Sequence, residues 1–189
     1  MVTFGNCLTW RAFLSSLLTL LASLAITGCG PKPKVTVAPT FKPATAQTVY
    51  IIPFTAALVP ESFRETVFND FVDLLNSHRR QTGATSFVIL KEEVKDVDPV
   101  WLSGQHYISG DIWSYVEESG CCATNIRVKA RAYLTEPGMR VPSVEIFLPM
   151  ETFFDHDKSS VERERDRLAH DIARELARQI TAPLALHPR

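Results

Sequence analysis

The sequence predicts an α+β domain: a single mixed β-sheet of about five strands with two main helices packed on one face. Three patterns carry that expectation. Residues 60–80 and 159–182 repeat apolar side chains at steps of three and four, so each stretch presents one apolar stripe. Residues 125–134 alternate strictly between apolar and polar, the period of a strand buried on one side. Short uninterrupted apolar runs at 48–54 and 86–90 read as further strands, the first buried on both faces.

The chain begins outside that domain. Residues 1–11 carry one side-chain charge, Arg11, and the sixteen residues from Ala12 to Thr27 carry none. A short positive region, an apolar core and small residues before a cut site mark a secretory signal peptide, here residues 1–28. The run is shorter than the roughly 20 residues that a bilayer-spanning helix needs. It ends in Ile26-Thr27-Gly28-Cys29, which resembles a bacterial lipobox. That resemblance implies a diacylglycerol on the Cys29 thiol, cleavage after Gly28 and acylation of the new amino terminus. Several acyl chains anchor stably where one binds marginally. Gly30 stands where an aspartate would resemble an inner-membrane retention signal. The expected location is therefore the outer membrane, lipid-anchored on the periplasmic face, with the inner membrane as the alternative.

After Cys29, residues 30–46 hold four prolines, three lysines and no acidic residue. Such proline density favours polyproline II, and residues 29–46 read as a lipidated cysteine and a solvated tether able to reach about 50 Å when extended. The rest has the composition of an ordinary globular protein, since 46% of the 189 residues are hydrophobic and 22% charged. A net charge of −1 offers no broad basic field, so nucleic acid is not an expected partner.

The domain proper is expected over 47–182, with 183–189 as a tail. In Thr48-Val-Tyr-Ile-Ile-Pro-Phe54, Pro53 lacks a donor and should end the strand or lie where the ladder is open. The first helix carries its stripe on Phe63, Val67, Phe68, Phe71, Leu74 and Leu75, with Gly83 as a stop. Ser86 to Leu90 is the second strand. Residues 92–102 are ambiguous, with a short helix ended by Asp98-Pro99 as one reading. His106 to Tyr115 reads as a strand with Ile108 and Ile112 on one face and Tyr107, Trp113 and Tyr115 on the other. Gly110 thins that strand or marks a bulge. A turn at 117–120 leads to Asn125–Leu134, and Glu136-Pro137-Gly138-Met139 fits a type II turn. Val144, Ile146 and Leu148 form the last strand, broken at Pro149. Ser159-Ser-Val-Glu162 has the form of a capping box opening the second long helix, and Pro183 ends it. Glu164–Arg167, Asp171–Arg174 and Glu175–Arg178 are opposed pairs along its solvated side.

Val49-Tyr-Ile-Ile-Pro-Phe54, the helix at 60–80, Tyr107-Ile-Ser-Gly-Asp-Ile112 and the closing helix together resemble a domain of bacterial envelope proteins. It occurs in curli-secretion-channel lipoproteins, penicillin-binding-protein activator lipoproteins and the amino-terminal domain of the Tol translocation periplasmic protein. The resemblance implies an α/β sandwich over most of 47–182. It does not choose among channels, enzyme activators and partner-binding modules.

Reactive chemistry is sparse. Gly104 and Gly110 are isolated, with no phosphate-loop lysine after them. His78, His106, His156, His170 and His187 show no metal-ligand spacing, and Asp155-His156-Asp157, next to Lys158, reads as an exposed turn. No Gly-x-Ser-x-Gly elbow exists. The expectation is no catalytic residue, no metal and no cofactor. Cys121-Cys122 is the unusual pair. A vicinal disulfide stiffening the hairpin turn, two reduced thiols with one packed inward, and intermolecular pairing or metal capture all remain open. Adjacent α-carbons sit about 3.8 Å apart, below the usual disulfide span, so a bridge there is strained.

The polar meander face sets Arg127, Lys129, Arg131 and Tyr133 beside Tyr107, Trp113 and Tyr115 as a candidate partner surface, provided strand register brings them together. The alternative is an ordinary solvated or helix-covered face. The leading expectation is a non-catalytic lipoprotein, tied to the membrane by its lipid anchor, that binds another cell-envelope protein or complex. A small-ligand or lipid-binding lipoprotein would need a deep apolar pocket between sheet and helices. A hydrolase would need a clustered nucleophile and base.

Overall fold

The computed structural model describes residues 32–42, 48–82, 86–92 and 94–185. The signal peptide, Cys29, Gly83 and His187 lie outside those residues. Lys32–Arg189 form one compact unit. Its elements run β1 (Lys34–Val37), β2 (Thr48–Ile51), β3 (Thr55–Ala56), α1 (Glu61–Thr82), β4 (Ser86–Ile89), a 3-10 turn (Val94–Asp96), α2 (Pro99–Ser103), β5 (His106–Ser119), β6 (Ala123–Thr135), β7 (Val144–Asp155) and α3 (Val161–Leu184).

The fold is α+β around one mixed sheet, as the patterns predict, but the sheet has seven strands rather than five. The order is β1-β7-β6-β5-β2-β4, with β3 also on β5. β2 runs parallel to β4 and β5, while β5, β6 and β7 form an antiparallel meander. One extra strand, β3, is the first strand resuming after Pro53. The other, β1, comes from the expected tether: Lys34–Val37 lies antiparallel on β7, with Lys34 opposite Phe147 and Val37 opposite Val144. The reason is local. Val35-Thr-Val37 is β-branched between two prolines, and it covers a ladder that β7 would otherwise leave open.

α1 and α3 pack on one face, as expected. Phe63, Val67, Phe71 and Leu75 from α1 and Leu168, Ile172, Leu176 and Ile180 from α3 share a core with Ile51, Ile108, Ile112, Ile126, Val128, Leu134, Ile146 and Leu148 from the sheet. A small second cluster of Ile52, Val97 and Leu102, with Leu90 and Tyr107 against it, lies under α2. Tyr50 and Tyr107 alternate with core residues Ile51 and Ile108, so α2 sits on the opposite face. Trp101 of α2 meets Tyr50 edge-on at 5.0 Å. Asp98-Pro99 opens this helix instead of ending one. The Asp98 side chain accepts from Val100 N–H at 2.9 Å, and Pro99 occupies the first turn, where its missing N–H costs nothing.

Gly110 does not mark a bulge. A Cβ there would come within 2.7 Å of the Phe54 ring and 2.8 Å of Arg131 O, so glycine is what lets Phe54 lie on the strand. The bulge falls between Ile112 and Ser114 instead, where Ile112 pairs with Ala130 but Ser114 pairs with Lys129. β5 stays in the sheet through Ser119, which moves the expected 117–120 turn to Gly120-Cys121-Cys122. β7 continues past Pro149 to Asp155. β1 covers only residues 144–147, so beyond Phe147 this is an edge strand that tolerates proline. The predicted type II turn is present: Gly138 has φ 77° and Met139 N–H donates to Glu136 C=O at 3.1 Å.

The cap of α3 is shifted by one residue. Ser160, not Ser159, is the N-cap, accepting from Arg163 N–H at 3.3 Å. The helix also runs through Pro183 to Leu184 rather than stopping before it. The three opposed pairs form, at 3.5, 2.7 and 2.6 Å. Glu164 is not solvated, however: it is buried and accepts a hydrogen bond from Thr152 Oγ1 at 3.3 Å.

Candidate functional site: the open face of the meander

The face of β5–β6–β7 opposite α1 and α3 carries the polar half of the alternating strands. On β6 these are Asn125, Arg127, Lys129, Arg131 and Tyr133. Register sets them against Glu118, Val116, Ser114, Asp111 and Ser109 of β5 and against Phe153, Glu151, Pro149, Phe147 and Glu145 of β7. Trp113, at the bulge, lies at the centre, 45% exposed. Lys129 Nζ stands 5.0 Å and Arg131 Cζ 5.5 Å from its ring, and the Phe147 ring is 6.1 Å away. Arg131 also lies 5.8 Å from the Tyr133 ring. Cations at such distances are drawn to the negative π faces.

Asp111 orders this cluster. Arg131 donates to its carboxylate at 3.0 Å and Tyr133 Oη donates at 3.4 Å. Burial and then the Asp111 charge push the Tyr133 phenol up from its ordinary value. Burial opposes the Arg131 charge, but the Asp111 hydrogen bond and charge outweigh it and raise that guanidinium. Arg127 makes a separate pair with Glu118 at 2.6 Å. Exposed Val116 and Phe153 extend the apolar part of the face.

Six of the seven predicted surface residues thus lie on one side of the sheet, and five of them, Trp113, Arg127, Lys129, Arg131 and Tyr133, form its open part. Tyr107 is on that side but is packed in the small cluster beside α2. Tyr115 is on the other side. The bulge inserts one residue, and every side chain after it changes phase. Tyr115 consequently meets Phe63 at 5.2 Å and receives Arg165 Nε at 3.1 Å. Its own hydroxyl donates to Glu117 at 2.8 Å, and Arg165 clasps the same carboxylate at 2.9 and 2.8 Å. This triad ties α3 to the sheet. Burial, followed by the Glu117 hydrogen bond, raises the Tyr115 phenol to about 12.

The reading by alternation missed Asp111, Phe147 and Phe153. Asp111 was visible inside the Ser-Gly-Asp motif, but its partner 20 residues away was not. Phe147 and Phe153 keep the period of two once β7 is allowed to pass Pro149.

Other features divide into turns and grooves. Cys121 and Cys122 are both exposed at the hairpin tip, with Sγ atoms 3.2 Å apart. In the 155–157 turn, Asp155 pairs with Lys158 at 2.9 Å and His156 Nε2 is 2.7 Å from Thr124 Oγ1. Among the described residues, no three acidic, cysteine or histidine side chains gather as metal ligands do. A shallow groove of about 390 Å³ between α1 and α3 is lined by Asp70, Asp73, Leu74, Ser77, His170 and Arg174. His170 Nδ1 contacts Asp70 there. Ser77 Oγ donates to Leu74 C=O at 2.7 Å, which leaves its proton committed to the helix backbone. None of the described helices is long and apolar enough to cross a membrane.

No protein-family model and no curated protein matches the sequence. Similarity appears in solved structures. The PelC dodecamer from Paraburkholderia phytofirmans superposes with a TM-score of 0.56 at 11% identity, over 83% of this chain and 99% of that one. A point variant of the same PelC dodecamer, in a second crystal form, gives 0.54 at 11% identity over 80% and 98%. Lipoprotein GNA1162 from Neisseria meningitidis gives 0.41 at 10% identity over 70% and 99%, too distant to carry an argument. At these identities the likeness is one of fold. This chain has the PelC-like α+β fold.

Proposed function

We propose that the protein is a lipid-anchored, non-catalytic accessory factor of the outer membrane, held on its periplasmic face through Cys29. It docks another envelope protein on the open face of the meander. The resemblance of its motifs to envelope lipoproteins and the lipobox-like Ile26–Cys29 support the anchor. One observation carries the docking reading: exposed Trp113, with half-buried Phe147 beside it and Lys129 and Arg131 flanking, stands where none of the described helices covers the sheet. Partly desolvated aromatics with arginine are the composition of interface centres. The charges there are mixed, with Asp111, Glu118, Glu145 and Glu151 among three cations, which suits a protein surface better than a polyanion.

Lipid or small-ligand binding fits less well, because the space between sheet and helices is filled. Phe71, Leu75, Ile108, Ile126, Leu134, Ile172 and Leu176 are fully buried there. A hydrolase would need a clustered nucleophile and base, and in the α1–α3 groove the Ser77 hydroxyl donates to Leu74 C=O.

Photocrosslinking from residue 116 in intact membranes tests the docking reading. A discrete crosslinked partner is expected, lost in a Trp113→Ala, Phe147→Ala double variant. That variant should still fold, losing about 1–3 kcal/mol, because Trp113 is exposed and Phe147 only half-buried. Crosslinking that survives the double variant would sink the assignment of this face. A second reading, that the partner is another copy of this chain, is favoured by the dodecameric state named for PelC. Crosslinks between copies, with a matching oligomer mass in detergent, would select it.

A further inference from the structure

The hairpin tip carries chemistry that docking leaves unused. Gly120-Cys121-Cys122 joins β5 to β6, and both thiols are exposed with Sγ atoms 3.2 Å apart. The strands on either side are already clamped. Gly120 N–H donates to Ala123 C=O at 2.8 Å, and His156 N–H donates to Cys122 C=O at 2.9 Å. Ser119, Thr124 and His156 are linked by contacts of 3.0 and 2.7 Å. To reach the bonded distance of about 2.05 Å, the sulfurs must approach by roughly one ångström. That motion is local to the turn.

We propose that Cys121–Cys122 is a thiol–disulfide exchange site, closed to a vicinal disulfide by a disulfide-bearing oxidant, protein or small molecule. One of the two thiolates attacks one sulfur of the oxidant. A mixed disulfide forms, the oxidant's own S–S bond breaks, and its other sulfur leaves and takes a proton. The neighbouring sulfur, deprotonated in turn, attacks the cysteine sulfur of the mixed disulfide and displaces the second thiol. The chain gives up two electrons and two protons, and the oxidant becomes two thiols. Both thiols are exposed, so either can open the exchange and its neighbour resolves it. Adjacent α-carbons about 3.8 Å apart hold the bridge under strain, and strained, exposed bridges are the labile ones. The closed form is an exchanging state, not a permanent staple.

The test uses the full chain in detergent, equilibrated in glutathione buffers from fully reduced to fully oxidised. After quenching with maleimide, mass spectrometry reads the peptide holding residues 121 and 122. The expected oxidised product lacks two hydrogens and takes no maleimide, and reduced glutathione alone restores two labelled thiols. In Cys122→Ser and in Cys121→Ser, a glutathione adduct should accumulate on the remaining thiol, because the resolving sulfur is gone. Two labelled thiols at every ratio would overturn the proposal, as would stable adducts on both without a bridge. Bridges only between two chains would overturn it equally.

Discussion

Gly110 shows how one residue can join two motifs that are far apart in sequence. Phe54 ends the first apolar run, and its ring rests on the bare α-carbon of Gly110. Gly110→Ala should therefore cost about 1–3 kcal/mol by overpacking, read as a lower urea midpoint. Adding Phe54→Leu should recover part of that loss, since the two sites share one contact. If Gly110→Ala leaves the midpoint unchanged, the contact is not what requires glycine. Tyr115 gives a second test, through protons. Its phenol is raised to about 12 from 10.0 in the folded chain. Below pH 10.0 both states hold the proton and the contribution is whole. Above it the unfolded chain releases the proton first, so stability falls as pH climbs toward about 12. The urea midpoint should drop more steeply over that range in the wild type than in Tyr115→Phe. Parallel curves would remove Tyr115 as the cause. Neither site was legible residue by residue. A glycine in a strand reports that something lies close, without saying what.

Among the elements, the two long helices were the most legible, because a stripe recurring every three or four residues allows one packing direction. Their ends were less so. Ser159 and Ser160 both precede the α3 stripe, and only backbone geometry decides which hydroxyl faces the free amides. Ser160→Ala should cost about 1 kcal/mol. Ser159→Ala should cost less, because Ser159 Oγ is buried without a partner among the described residues. Equal losses, measured by chemical denaturation, would contradict the assigned cap. β1 is the element composition concealed. Prolines on either side hid a β-branched triplet whose partner strand lies more than 100 residues away. Replacing Val35 and Val37 by glycine should speed hydrogen exchange at residues 144–147 of β7, while β6 stays protected between two neighbours. Unchanged exchange at 144–147 would mean that β1 contributes no protection.

At the scale of the whole molecule, the sheet is two-sided: one face is sealed by α1 and α3, and most of the other is left to solvent or a partner. Strict alternation in β6 announced that division, and it placed Arg127, Lys129, Arg131 and Tyr133 together. It could not say which β5 aromatics join them. A single inserted residue between Ile112 and Ser114 sends Trp113 to the open face and Tyr115 to the helices. Bulges leave little mark in hydrophobic period, because the inserted residue is chosen by contacts on the neighbouring strand. The sequence by itself determined the α+β class, the two helices and their buried stripes, the meander and the polarity of its faces. These follow from periodicity, which is local and repeats. Only the tertiary structure decided the seven-strand order, the parallel pairing of β2 with β5, the capture of residues 34–37 as an edge strand and the membership of the open face. Those depend on register and on contacts between residues distant in the chain, which no local period encodes.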